Sequence, residues 1–261
     1  MTIQSYHRTL AAVKVSIALC LPALGLLLFG ESIFGSSDLL TRVSVILMFA
    51  SSLLMVSLLV VASRAKQKLL QHISEELQLT LAPTFVRAAD AEAGRLGEIP
   101  REELPLLKRA YGWRNVLYHD ESLPRVFELQ IGDDESPQFQ TVYCFRNERT
   151  LPRFSLTPKS KSDRFWESVL GDIDAVEFES DQLFSETFTL HTSNREDVER
   201  YFNSTRRANL CRRVDSDFLW SVQSTSSHVI LFRQCIIADP TNISDELREC
   251  QALHQQVFDT A

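Results

Sequence analysis

His119 beside Asp120, His191, and Cys144 or Cys211 are the material this chain offers for a thiol–imidazole pair. In such a pair the ring takes the thiol proton and leaves a nucleophilic thiolate. Neither cysteine lies at a helix N-terminus or a strained elbow, the settings that activate a nucleophile, and Cys144 falls at an alternating strand position. Both are therefore expected to serve packing. Asp172 and Asp174, two residues apart, have a spacing that can offer oxygens to a cation from a loop. With no further carboxylate series and no glycine-rich loop beside them, they read as a turn acid and the first residue of a strand. Asp133, Asp134 and Glu135 cluster in a turn, where solvated acids are commonplace. Arg206, Arg207, Arg212 and Arg213 would make a small cationic face for a phosphate or an acidic partner. The plainer alternative is a solvated helix side that balances an acidic domain. Phe218, Trp220 and Phe232 alternate with polar neighbours, which is a core pattern before it is a ligand platform. No catalytic, cofactor-binding or metal-ligating residue is assigned on this reading, and no cofactor is expected.

The elements that would have to position these groups begin with two uncharged apolar runs, residues 15–30 and 43–63. The second, 21 residues long, spans a hydrocarbon core of roughly 30 Å as a helix. The first reaches that length when it starts near Leu10 and Lys14 snorkels its ammonium to the interface. A signal peptide does not fit the first run, because no small-x-small cleavage site comes soon after it and a full second span comes next. Two transmembrane helices, about residues 10–30 and 43–63, are expected to form a hairpin in the lipid bilayer. Arg8 and Lys14 flank the first, and Arg64, Lys66 and Lys68 succeed the second. The 31–42 connector carries only Arg42, beside Glu31 and Asp38. Basic residues favour the cytoplasmic side, so the N-terminus and everything after the hairpin should lie there. The expected location is a plasma (inner) membrane, crossed more than once.

Three of the 27 Lys and Arg residues and two of the 34 Asp and Glu precede Arg64; the rest of the chain thus holds 24 bases against 32 acids, a net charge of −8. That balance opposes nonspecific nucleic-acid binding, which needs a basic face to displace counterions. Five cysteines, Cys20, Cys144, Cys211, Cys235 and Cys250, include no C-x-x-C pair and no histidine at metal-ligand spacing. In the cytoplasm the last four should be free thiols, mostly buried as small apolar residues.

Past the second span, residues 65–81 keep a helical rhythm, with Leu69, Leu70, Ile73, Leu77 and Leu81 on one side. This continuing helix packs either on its own domain or on a second copy of the chain, which is the route to a homo-oligomer. Residues 64–98 are read as juxtamembrane helix and connector, the latter over 89–97. From residue 111 the texture is that of strands. Residues 125–131 alternate as a half-buried strand, 132–137 turn, and 138–146 return. Further strands are expected at 153–157, 175–179 and 184–192, with a short helix at 162–170. A helix capped by Ser193 or Asn194 has Glu196 and Asp197 in its first turn, where the macrodipole favours acids. A second short helix holds Leu210 and Cys211. Residues 217–223 and 228–234 form a hairpin, and 244–258 a final helix striped by Leu247, Cys250, Leu253 and Val257. The fold class is α+β: two transmembrane helices (residues 1–63), then one soluble domain (99–261) of antiparallel sheet with three or four helices.

Four phrases in order resemble a known family: Leu151-Pro152-Arg153-Phe154-Ser155-Leu156-Thr157-Pro158; Gly171-Asp172-Ile173-Asp174-Ala175-Val176-Glu177-Phe178; Leu183-Phe184-Ser185-Glu186-Thr187-Phe188-Thr189-Leu190; and Arg195-Glu196-Asp197-Val198-Glu199-Arg200-Tyr201-Phe202. The order is similar to that in bacterial membrane proteins of uncharacterised activity that carry an N-terminal membrane hairpin. The chain departs from that pattern at Thr157 and Lys159, where the family tends to Arg and Glu, and at Phe188, where Tyr is usual. The resemblance implies a bacterial membrane protein and brings no site residues with it. The resulting expectation is a noncatalytic, membrane-anchored domain that binds a protein or scaffolds at the cytoplasmic face. The alternatives are a domain responsive to a small molecule or nucleotide, and an enzyme whose site is dispersed along the chain.

Overall fold

The computed structural model describes residues 11, 38–82, 85–88, 99–119, 124–132, 137–159, 175–214 and 220–258. The first expected span, most of the 31–42 connector, the 89–97 connector, the acids 133–135, the helix at 162–170, and Asp120, Asp172, Asp174 and Phe218 lie outside the described residues. Two compact units divide the chain, with the boundary between Ile73 and Ser74.

Apart from Ala11, the described residues of the first unit belong to helix α1, Asp38–Glu76, whose last three residues fall in the second unit. At 1.5 Å per residue its 39 residues make a rod of roughly 58 Å. Val45, Ile46, Phe49, Leu53, Leu54, Met55, Val56, Leu59, Val60 and Val61 are all exposed on it. Among the described residues its Phe49–Glu76 part is one helical segment long and apolar enough to cross a membrane. The helix stops at Glu76 and not at the expected Leu81. Leu79 N–H donates to Ser74 O (2.8 Å) and Gln78 N–H to Glu75 O (3.3 Å). Gln78 takes φ 56°, so a glutamine fills the left-handed position that usually signals this cap by a glycine.

The second unit is built on ten described strands: β1 (Thr80–Ala82), β2 (Val86–Arg87), β3 (Ala110–Tyr118), β4 (Arg125–Ile131), β5 (Gln138–Arg146), β6 (Phe154–Pro158), β7 (Ala175–Val176), β8 (Phe188–His191), β9 (Ser221–Ser224) and β10 (His228–Phe232). They join in one antiparallel sheet of order β1-β3-β4-β5-β10-β9-β6-β8-β7, with β2 also on β3. Five helices come after α1: α2 (Pro105–Lys108), α3 (Gln182–Thr187), α4 (Arg195–Tyr201), α5 (Ser204–Val214) and α6 (Ile243–Leu253), the last running into a π-helical turn, His254–Phe258. The unit is α+β, as expected, with five described helices in place of three or four. Strands β4 and β5 have the expected bounds. The strand expected over 184–192 is half helix: Asp181 accepts from Phe184 N–H and caps α3, so only residues from Phe188 onward extend.

Because opposed residues share a face, the register sorts the sheet into two unlike sides. On one side a row of partners, Leu117–Val126–Tyr143–Leu231–Val222–Leu156–Leu190–Val176, crosses eight strands. Every member is buried. On the other side Trp113, Phe127, Leu129, Val142, Cys144, Ile230 and Phe232 form an apolar core with Ile99, Leu104, Leu106 and Leu107. That side then turns polar across β9, β6 and β8, where Ser221, Gln223, Ser155, Thr157 and His191 stand. Strand β4 is buried on both sides from Arg125 to Gln130, which corrects its half-buried expectation: its Val126–Glu128–Gln130 side is covered as well.

Strand β3 has two irregularities against β4. One lies between Arg114 and Leu117, with Asn115 at φ 53°. The extra residue sits in the left-handed region that asparagine tolerates better than branched residues do. At Gly112, a Cβ would stand 2.5 Å from the Val86 carbonyl oxygen and 2.5 Å from the Phe85 ring. Glycine is what lets β2 pair there. We predict that Gly112→Ala costs about 1–3 kcal/mol by overpacking, and Asn115→Val about 1–2 kcal/mol by backbone strain. Asn115→Gly should stay close to wild type. Denaturant midpoints of the three variants check this; a wild-type midpoint for Gly112→Ala would refute the close approach.

Candidate functional site

Where the second side of the sheet turns polar, a cavity of about 460 Å³ opens. Its floor is the ends of three neighbouring strands, with Arg153, Ser155, His191, Thr192 and Ser224 on its surface. Its other wall is the segment before β3, which contributes Glu102, Glu103, Lys108 and Arg109. That segment is amphipathic over a very short length. Leu104, Leu106 and Leu107 are buried in the core, and the charges on either side of them are left at the cavity. Pro105 at the first turn of α2 fixes the geometry, since its missing N–H is no loss there.

Two contacts tie the walls together. Arg153 Nη2 meets Glu103 Oε1 at 2.8 Å. Leu106 N–H donates to Gln223 Oε1 (3.0 Å), and Gln223 Nε2 donates to Ser155 Oγ (3.3 Å). Two hydroxyls on the floor are committed to the backbone: Ser224 Oγ donates to Pro152 O, and Thr192 Oγ1 to Arg153 O. What they supply is rigidity. The other oxygen of Glu103, Oε2, is shielded from solvent and has no hydrogen-bond partner among the described residues. Lys108 and Arg109 are exposed. The arrangement can hold an anionic group at Lys108 and Arg109.

The residues singled out from sequence are dispersed. His191 lines the cavity, but it stands four strands across the sheet from Cys144, roughly 19 Å at about 4.8 Å per strand. His119 is exposed just after β3. Burial pushes the Cys144 thiol up to about 12, so it stays neutral inside the core. Cys250 is likewise buried and raised well above the thiol range by desolvation. Cys211 is half-buried and Cys235 exposed, so two of the four described thiols depart from the expectation of burial.

Arg206, Arg207 and Arg212 differ in their surroundings, and the Arg213 side chain lies outside the described residues. Arg207 is buried: Nε meets Asp181 Oδ2 at 2.7 Å, Nη1 donates to Phe202 O at 2.6 Å, and the guanidinium lies 4.4 Å over the Phe178 ring. Arg206 stacks 4.3 Å over Tyr201 and donates to Tyr201 O. Arg212 is exposed and pairs with Asn209 on its own helix. Both readings offered from sequence, a ligand face and a solvated face, give way at Arg206 and Arg207 to internal clamps.

Trp220 is core, as expected, and it belongs to a clamp that docks α6. Its Nε1 donates to Glu249 Oε1 (2.9 Å), its ring meets Tyr143 edge-on, and Arg233 lies 4.3 Å above it. Arg233 also pairs with Glu246 at 3.2 Å, and Tyr143 donates to the other oxygen of that carboxylate at 2.7 Å. Burial first, then the Glu246 charge, raises the Tyr143 phenol and keeps it a donor. The cavity itself escapes sequence reasoning because its residues are ordinary surface types, brought together from segments roughly 40 to 120 positions apart in the chain. The signal available is the compact charge–apolar–charge run at 101–109.

These placements have measurable consequences. Asp181→Ala removes both the α3 cap and the partner of Arg207. We expect a loss on the order of 2 kcal/mol, below the fully buried case because the Asp181 side chain is 23% exposed. Urea unfolding tests it, and a loss under half of that refutes the clamp. A maleimide should label Cys235 first, Cys211 next, and Cys144 and Cys250 only on unfolding. Burial raises the Cys235 thiol above its usual 9.0. Less thiolate is then present at a given pH, and labelling should speed up about tenfold per pH unit through pH 8 to 9. Labelling of Cys144 in the folded protein would refute this.

No family model matches this chain, and no curated protein matches it. Among solved structures, the crystal structure of the mycobacterial trehalose monomycolate transport factor A, TtfA, is similar at 10% sequence identity and a TM-score of 0.47, covering 76% of this chain and 99% of that one. A likeness that loose carries no argument about what this chain does.

Proposed function

We propose that the chain is a membrane-anchored domain that works by binding a protein partner at the cytoplasmic face, and not by catalysis. The observation that carries the reading is α1. Ten large apolar side chains stand exposed on a helix that runs on, unbroken, to the start of the sheet unit. Exposing so large an apolar surface to water is unfavourable, at roughly 25 cal/mol per Å², and a bilayer removes that cost. Arg64, Lys66 and Lys68 at its polar end favour the cytoplasm for the rest of the chain. A second span at residues 10–30 completes a hairpin in this proposal, as in the bacterial membrane family that the sequence phrases resemble. Supporting the binding role, the groups with most chemical potential are built into packing: Cys144 into the core, Arg207 into its clamp, Tyr143 against Glu246.

The full-length protein, purified from its native membranes in mild detergent beside a form lacking residues 1–63, should retain the same partner at near-stoichiometric amounts, read by mass spectrometry. A partner kept only by the full-length form would place the interface in the membrane segment and overturn a role for the domain. So would a blank in both.

A further inference from the structure

The cavity beside α2 has a chemistry of its own, separate from the partner protein. Its volume, about 460 Å³, is in the range of small-molecule sites and well above that of a lone inorganic anion. Its walls are held before any ligand arrives, by the Arg153–Glu103 pair and by the Leu106–Gln223–Ser155 chain. A site fixed in advance spends less of its binding energy on ordering. Two adjacent cations, Lys108 and Arg109, line it on one wall. Arg153 adds a third cation on the floor, with its side chain more than half exposed beside its pair with Glu103.

We infer that this cavity binds a small organic phosphate ester: the phosphate lies on Lys108 and Arg109, and the rest of the molecule fills the volume that a lone inorganic anion would leave empty. A soluble hydroxylated phosphate ester has this chemistry, and so does the glycerophosphate headgroup of a lipid. Neither requires the protein-partner reading to hold. Co-purification tests that reading, and ligand stabilisation tests this one.

The experiment uses the full chain in a neutral detergent, with unfolding followed by tryptophan fluorescence. The probes are glycerol 3-phosphate, inorganic phosphate and glycerol. A ligand that binds only the folded state raises Tm, by about 3–5 °C when present at ten times its Kd. We expect glycerol 3-phosphate at about 20 mM to do so and glycerol not to. Lys108→Ala/Arg109→Ala should abolish the shift; both side chains are exposed, so this variant keeps its fold. Nanodiscs of phosphatidylglycerol against phosphatidylcholine separate the two sources. Stabilisation by the former in place of the soluble ester assigns the site to a headgroup. The absence of any shift with soluble or lipid probes overturns the proposal. So does a shift that survives in the double variant, or an equal response to inorganic phosphate and glycerol 3-phosphate.

Discussion

The second unit depends on a sheet whose two sides differ in reach. One side is apolar along a row of eight strands, from Leu117 to Val176. The other is apolar only as far as Ile230 and Phe232, and beyond them turns to hydroxyls, an amide and an imidazole. An apolar surface must be covered, and what covers it can be short if the surface is short. The full-length side takes the larger cover, with Val198, Phe202, Leu210, Leu247, Leu253 and Phe258 buried in the helices and turn after β8. The half-length side takes three leucines, 104, 106 and 107, from one turn of helix and its approach. Where that small cover ends, the sheet below is already polar, and a cavity is the result.

Polar contacts then fix what apolar burial leaves loose. Burial is nondirectional and would let α6 slide on the sheet. The Tyr143–Glu246–Arg233–Glu249–Trp220 cluster sets one position for it, because Glu246 accepts from Tyr143 and Arg233 at once, and Glu249 accepts from Trp220 while forming an ion pair with Arg233. Arg207 performs the same office for the α3–α5 corner, reaching Asp181 and the Phe202 carbonyl with a single guanidinium. Lysine has neither the fork nor the planar face to do both.

Much of this was legible in the chain where the signal is local. Strands β4 and β5 and the β9–β10 hairpin emerged from alternation, and the α4 cap was readable from Asn194, whose side chain accepts from Asp197 N–H. The long helix through residues 43–63 emerged from apolar length. The illegible parts were non-local. Residues 184–187 look like a strand until Asp181 caps them into a helix. Gln78 ends α1 without the glycine that would announce it. Arg206 and Arg207 look like a charged face, and only the fold brings Asp181 and the Phe178 and Tyr201 rings beneath them. The cavity was the least legible part: its walls come from residues 102–109, 153–155, 191–193 and 224, and no spacing rule joins them.

The division of chemistry across the unit follows burial. Burial acts on Tyr143, Cys144 and Cys250 in one direction, towards the neutral form, since each loses water around the charge it would otherwise carry. A thiol or phenol held neutral is a poor nucleophile and a sound packing group. Catalysis would require the reverse for such a group, an opposite charge or a base at contact distance that lowers the cost of ionising. The charges at the cavity are of the other kind. Lys108 and Arg109 keep their water and reach the cavity from an exposed turn, while Glu103 is half sheltered and pinned to Arg153. Solvated cations beside a fixed carboxylate can attract an anion. Burial thus keeps the thiols and the phenol neutral, while the charges at the cavity stay accessible on a rigid frame.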